Sequence, residues 1–532
     1  MTARTRLLAA VALLALAPAQ AQVGAEQQDA ALKHAFVAFH ELPAGIAQEM
    51  TLAGVSSGRV IPTIGAVAVV APESVLRQYA ADPRVRAVTL QRRLQWHMYS
   101  SRTQINAVGI EQAETVDLGE GRMFERPGVT GAGVTVAIID SGIFLPHPDF
   151  GVPGSSRVIA GASFEGSLYA REAGVMPSAE WDLVAEATAP LALQDEVGHG
   201  THVAGTVAGD GFSASGLDIQ GVAPGANLVA LKIASAGNGV VEDIGFEANA
   251  VAAIDYMTRN REALGNVRVA NNSWGLLAEE AQGLLGPTDF DPVAEVVRAA
   301  VEAGIVMVFS AGNDGPGPET VRPIPNGMDE VISVAAACKA DRGGCPAGGI
   351  TDFSSRGEAV DVTAPGDQIL STSSPSVLEP IGQTLEGDYF GDAPQDEVQN
   401  RVAYTRLSGT SMSSPHVAGV VALILEANPE LSPAQVRQVL IDTAVDMVGE
   451  GDTELLPGYD VASGHGMVDS RAAVLRAFEM AGALPVSPAA APRGTGTASS
   501  GGALGSGFAW LLLLLLGLRR MSSRARAART VG

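Results

Sequence analysis

The run Ser408-Gly-Thr-Ser411-Met-Ser-Ser-Pro-His416-Val-Ala-Gly419 constrains this chain more than any other feature. A turn of small residues delivers Ser411 to the start of a long apolar segment, Val417 to Leu425, with no breaker before Asn428-Pro429. A hydroxyl at a helix N-terminus lies beside unpaired backbone N–H groups and the positive end of the helix dipole. Those N–H groups are suited to hold an oxyanion formed when the hydroxyl attacks a carbonyl. Taken alone, Gly-Thr-Ser is also an ordinary helix cap. What separates the two meanings is whether the chain supplies a base for the serine and a group to orient that base.

It offers both. Val134-Thr-Val-Ala-Ile-Ile139 is an almost wholly apolar run, as expected of a buried parallel strand, and it ends in Asp140-Ser-Gly142. An aspartate at the carboxyl end of such a strand lies where open α/β sheets build their sites. Gly198-His199-Gly-Thr-His202-Val-Ala-Gly205 opens a second small-residue helix. Ile305-Val-Met-Val-Phe309 is a further strand, and Ser-Ala-Gly-Asn313 after it brings an amide donor into a glycine turn. His202 could serve as base in place of His199, or the two could be half of a metal site. A zinc site would need a third ligand in matching context, and the sequence offers none. Asn313 fits an ordinary turn as well, since Asn and Gly dominate turns.

Asp140-Ser-Gly, His199-Gly-Thr-His, Ala311-Gly-Asn313 and Gly409-Thr-Ser411-Met, in that order, resemble the subtilisin-like serine peptidases, or subtilases, over roughly residues 105 to 478. The resemblance implies an α/β fold of three layers with a mostly parallel central sheet flanked by helices. It implies Ser411 as nucleophile, His199 as base, Asp140 as orienting carboxylate and Asn313 as side-chain donor of an oxyanion hole. Ala270-Asn-Asn272-Ser273-Trp274-Gly275 resembles the edge strand whose backbone pairs with an extended substrate, a mode that is only weakly sequence-selective. Asp149 matches a position where subtilases often hold a calcium ligand, with the loop from Asp210 to Gln220 as a second part of such a site. Such an ion would be structural; the chemistry requires no cofactor. Ser413 stands where the family usually has Ala, and residues 165–193 and 375–402 read as acidic surface insertions beside the cleft. The acid-acting sedolisins share Gly-Thr-Ser but use a Glu base, which Gly198-His-Gly-Thr-His argues against. A binding protein with an inactive peptidase fold is the alternative from another class.

The flanking segments suggest an exported precursor. Residues 1–21 carry Arg4, Arg6, an apolar run and Ala19-Gln-Ala21, the features of a secretory signal peptide. Residues 22–99 read as a small α+β domain with strands at Ala35–Phe39, Gly65–Val70 and Val85–Leu90 and a helix at Pro72–Tyr79. Its tail from Asp82 to Val88 resembles subtilase inhibitory propeptides. The peptidase domain takes residues 100–480. A Gly/Ser-rich linker at 481–502 leads to an apolar span at 503–518 and a basic tail at 519–532. That span is short for a membrane helix, about 24 Å at ~1.5 Å per residue. The arginines after it place the tail in the cytoplasm. Gly501-Gly502, a leucine-rich span and arginines look like a bacterial Gly-Gly sorting tail, so membrane attachment would be transient. Net charge is −32 over residues 100–518, against +1 for 22–99 and +5 for 519–532. So acidic a catalytic region repels nucleic acid; the resemblance implies protein or peptide substrates, with the chain's own propeptide as inhibitor. The only cysteines, Cys338 and Cys345, are expected to bridge in an oxidising compartment.

Overall fold

Two sheets organise the molecule, and most of their strands are apolar on both sides. The structure is a computed structural model. It describes residues 32–483 apart from 92–93, 97–101, 120–122, 152–153, 165–192, 212–218, 235–245, 277–289, 340–344, 346–347, 375–388, 391–402 and 450–453. The expected signal peptide, apolar span and basic tail, nearly all of the linker and almost all of both insertions lie outside these residues. Among the described residues no helix is long and apolar enough to cross a membrane.

The N-terminal module comprises β1 (Leu32–Phe39), α1 (Ile46–Leu52), β2 (Ser57–Ile61), β3 (Ala66–Pro72), α2 (Glu73–Ala80) and β4 (Val85–Leu90), with a short β5 (Leu94–Trp96) beyond. Its sheet is antiparallel in the order β2-β3-β1-β4. The sequence reading found three of these strands and α2. It missed α1, seven residues entered from Gly45 in a left-handed conformation, and β2, whose Gly58 and Arg59 interrupt the apolar pattern.

After a hairpin of β6 (Glu114–Asp117) and β7 (Met123–Arg126), the larger region follows in βα alternation. It contains β8 (Thr135–Asp140), β9 (Val158–Ser163), α3 (His199–Ala208), β10 (Asn227–Lys232), α4 (Phe246–Arg259), β11 (Val267–Asn272), β12 (Trp274–Leu276) and α5 (Pro292–Glu302). Then come β13 (Val306–Ser310), β14 (Ile332–Ala337), β15 (Val362–Pro365), β16 (Ile369–Ser373), β17 (Tyr389–Phe390), β18 (Ala403–Leu407), α6 (Thr410–Ala427), α7 (Pro433–Thr443) and α8 (Ser470–Met480). Seven strands form one sheet in the order β15-β14-β13-β11-β8-β10-β9, every pairing parallel. Alternate residues serve opposite faces. Val136, Ile138, Val269 and Val308 pack with Val203 and Val207 of α3 and Val417 and Leu423 of α6. Ala137, Ile139, Ala270 and Phe309 pack with α4 and α5. Both faces are covered, so the strands read as continuous apolar runs.

The module uses one face differently. Ala35, Val37, Val67 and Val69 pack on its own α1 and α2. Phe36, Ala38, Ile61, Ala66 and Ala68 instead join the cluster that contains α4 and α5. Polar contacts reinforce that seam: Thr63 N–H donates to Asp255 Oδ1 at 3.0 Å, and the Arg86 guanidinium lies 4.5 Å from the Phe290 ring centroid.

Candidate active site

The pieces of the site hang from the carboxyl ends of the parallel strands. Asp140 ends β8, beside which the chain changes its direction of travel across the sheet, the place where such folds open a crevice. His199 begins α3, and its Nδ1 stands 2.7 Å from Asp140 Oδ1, with both side chains fully buried. The close approach requires Gly200: a Cβ there would lie 2.2 Å from Gly142 O and 2.9 Å from Asp140 Oδ1. Asp195 ties the two elements together. It accepts hydrogen bonds from the N–H groups of Val197, Gly198 and Thr201 and from the hydroxyls of Ser141 and Thr201. Ser141 Oγ in turn accepts from Gly200 N–H. Burial pushes the Asp195 carboxyl above its usual range, and these donors oppose the push.

Ser411 is the second residue of α6, a helix in which every residue but Glu426 is buried. Pro415 has no N–H to offer the Ser411 carbonyl, and Ser273 Oγ donates to that oxygen instead, at 2.7 Å. The Ser411 hydroxyl donates to Ser273 O at 2.8 Å. At the far end of the helix, Glu426 Oε2 accepts from the N–H groups of Thr130, Gly131 and Ala132, which fastens α6 to the entry of β8. Asn313 follows β13, and its Oδ1 accepts from both the N–H and the hydroxyl of Thr410, at 3.1 Å each. Because both partners are donors, the carboxamide orientation is fixed and its NH₂ group points the other way.

The chain matches the family model described as Peptidase S8, subtilase family, over residues 131–470. It is 32% identical over 319 residues to the serine protease AprX of Bacillus subtilis, covering 59% of this chain and 61% of that protein. It is 32% identical to subtilisin E of the same organism over 383 residues, covering 72% of this chain and 76% of that one. The crystal structure of fervidolysin from Fervidobacterium pennivorans, described as a keratinolytic enzyme related to subtilisin, superposes with a TM-score of 0.54 at 25% identity. That superposition covers 84% of this chain and 61% of fervidolysin.

The chain belongs to the subtilase family.

Within this subtilase, Asp140 meets His199, Asn313 meets the residue before Ser411, and Ser411 meets Ser273, with one difference from the expected site. The stretch from Ala270 to Gly275 is not one edge strand. Asn272 ends β11, which lies between β13 and β8, and its side-chain amide donates to Ala270 O and Val308 O. The chain breaks at Ser273, and the exposed edge is β12 alone, which pairs antiparallel with β5: Trp274 with Trp96, Gly275 with Gln95, Leu276 with Leu94. Asp149, expected as a calcium ligand, has protein partners. Its Oδ1 accepts from the Tyr404 hydroxyl at 2.7 Å, and its carbonyl accepts from the Arg157 guanidinium. The hydroxyl meets one carboxylate oxygen, and the guanidinium meets the backbone carbonyl. Among the described residues no group of three or more acidic, His or Cys side chains is arranged to hold a metal ion. The middle of the loop from Asp210 to Gln220, the second part of the expected calcium site, lies outside the described residues.

His202 faces away from Asp140, with its Nε2 at 3.0 Å from Ile369 O, and burial draws it down to about 3. His416 Nδ1 sits on Met412 O at 2.6 Å, and burial draws it down to about 4. Both are neutral packed histidines. Cys338 and Cys345 form a disulfide. Sequence reading missed Asp195, which its place four residues before His199 could have suggested as a cap, and Asn326, for which no local signal exists.

Proposed function

We propose that this subtilase is a serine endopeptidase that cleaves extended protein segments through an acyl-enzyme. The observation that carries the reading is the buried Asp140–His199 pair at 2.7 Å, in a chain that also places Ser411 in the first turn of α6. Ser411 Oγ attacks the scissile carbonyl and gives its proton to His199 Nε2, while Asp140 holds the ring by Nδ1 and stabilises the imidazolium. Asn313 Nδ2 and the Ser411 backbone N–H bind the oxyanion. The imidazolium then protonates the departing amine. Water, activated by the same base, attacks the ester and releases Ser411. No cofactor enters these steps, and Asp149 has a structural role with Tyr404 and Arg157. Ser411→Ala should reduce turnover by about a millionfold and abolish labelling by a fluorophosphonate. Retained labelling would contradict the assignment.

The same reading makes residues 22–99 an inhibitory propeptide. It is supported by β5, which occupies the β12 edge as a substrate strand would and runs toward Ser273, whose carbonyl the nucleophile touches. Maturation then cuts within a few residues after Trp96. Export rests on the features of residues 1–21, and transient membrane attachment with loss of residues 503–532 rests on the Gly-Gly, leucine and arginine pattern. An intact mass for native protein still ending at Gly532 would overturn the sorting tail.

A further inference from the structure

The backbone on both sides of Asn313, the proposed oxyanion donor, is gripped by one fully buried residue, Ser355. Its N–H donates to Gly312 O at 2.8 Å, and its Oγ accepts from Asp314 N–H at 3.1 Å. Gly312 and Asp314 are the chain neighbours of Asn313, so Ser355 fixes both peptide units that carry it. Phe353 O extends the clamp by accepting from Gly315 N–H at 3.0 Å. The grip needs glycine at 312: φ there is +115°, and a Cβ would stand 2.7 Å from Ser355 Oγ.

Ser355 is itself held from the central sheet. Thr351 N–H donates to Ala336 O, and Ser354 Oγ accepts from Ala336 N–H, each at 3.0 Å, which ties residues 351–354 to β14. The buried Arg356 guanidinium closes the same turn by donating to Thr351 O and Ser354 O. Ser355 therefore carries a position set by β14 across to Asn313. Thr410 and Ser355 divide the work: Thr410 fixes which way the carboxamide faces, and Ser355 fixes where its backbone stands. A donor aimed at an oxyanion is useful only if it is held to within about 0.5 Å. We infer that Ser355 is a positioning residue for the oxyanion hole, acting through the backbone of Asn313 without touching substrate. It serves the transition state and not the bound substrate, so its loss lowers turnover and spares KM. This rests on the peptidase reading and on Asn313 as an oxyanion donor.

The test is a double-mutant cycle on mature enzyme with a peptide anilide, taking kcat per site labelled by a fluorophosphonate. Ser355→Ala keeps the backbone N–H and removes only the acceptor of Asp314 N–H. It should lower kcat about tenfold, the scale of orphaning one buried donor, and leave KM within about twofold. In the Asn313→Ala background the same change should lower kcat by no more than about twofold, because no side-chain donor remains to be positioned. A substitution that merely loosened the fold would lower kcat equally in both backgrounds. Equal losses, an unchanged kcat in Ser355→Ala, or a loss carried by KM would overturn the inference. If Ser355→Ala yields no labelled protein, Ser355→Cys, similar in size and a weaker acceptor, replaces it under the same criteria. Wild-type enzyme that fails to label would strike the peptidase reading itself. Full turnover in Asn313→Ala would strike the oxyanion assignment and this inference with it, whereas labelled enzyme with additive losses would strike only this inference.

Discussion

The central sheet and the N-terminal sheet look alike in sequence and are stabilised differently. The seven-stranded sheet is sandwiched by helices of its own region, α3 and α6 on one face and α4 and α5 on the other. The module's sheet owns helices on one face only, and its other face, with Phe36, Ile61 and Ala68, is buried against α4 and α5. An apolar strand thus shows that both its faces are covered, but not by what. The module has a core of its own on one face and buries the other face of its sheet against the region it would inhibit.

Substitutions at the end of a central strand should change chemistry without changing assembly, and the reverse should hold on the module face buried against α4 and α5. Asn313→Ala should lower kcat a hundredfold to a thousandfold, the range seen for loss of one oxyanion donor. Binding of the separately added module should stay the same. Full turnover in Asn313→Ala would remove Asn313 from the oxyanion hole. Phe36→Ala deletes a fully buried ring from the seam, at a cost of about 3 kcal/mol or more. It should weaken inhibition by the added module about a hundredfold and leave mature kcat/KM alone. An unchanged inhibition constant would mean that this face contributes nothing to docking.

Acid gives a smaller effect that reports on the larger region. His202 and His416 are drawn by burial to about 3 and about 4, from an ordinary value near 6.5. Below about pH 6.5 the unfolded chain binds protons that the folded one cannot hold. Stability from these two groups is therefore complete above that pH and lost as pH falls toward 4, about 1.4 kcal/mol per pH unit for each. Urea midpoints of the mature enzyme between pH 7.5 and 4.5 should show the decline, and His202→Gln should make it shallower. A flat profile would contradict the burial assigned to both rings.

Much of this was legible because the catalytic motifs are local. Asp140, His199, Asn313 and Ser411 each sit at the junction of an apolar run and a small-residue turn, and such junctions are visible in one dimension. The edge strand was misjudged because Ala270 to Gly275 has no internal punctuation; the break at Ser273 arises from its hydrogen bonds to α6. Asn326 joins residues 274 and 310, which only the fold makes neighbours.

The most direct measurement is the intact mass of purified precursor, wild type beside Ser411→Ala, after identical incubation. The account predicts that wild type loses its N-terminal residues through a cut between about Gln95 and Arg102, while Ser411→Ala stays uncut with β5 on the β12 edge. Wild-type protein that remains full length yet fully active, or a Ser411→Ala protein cut at the same place, would contradict it.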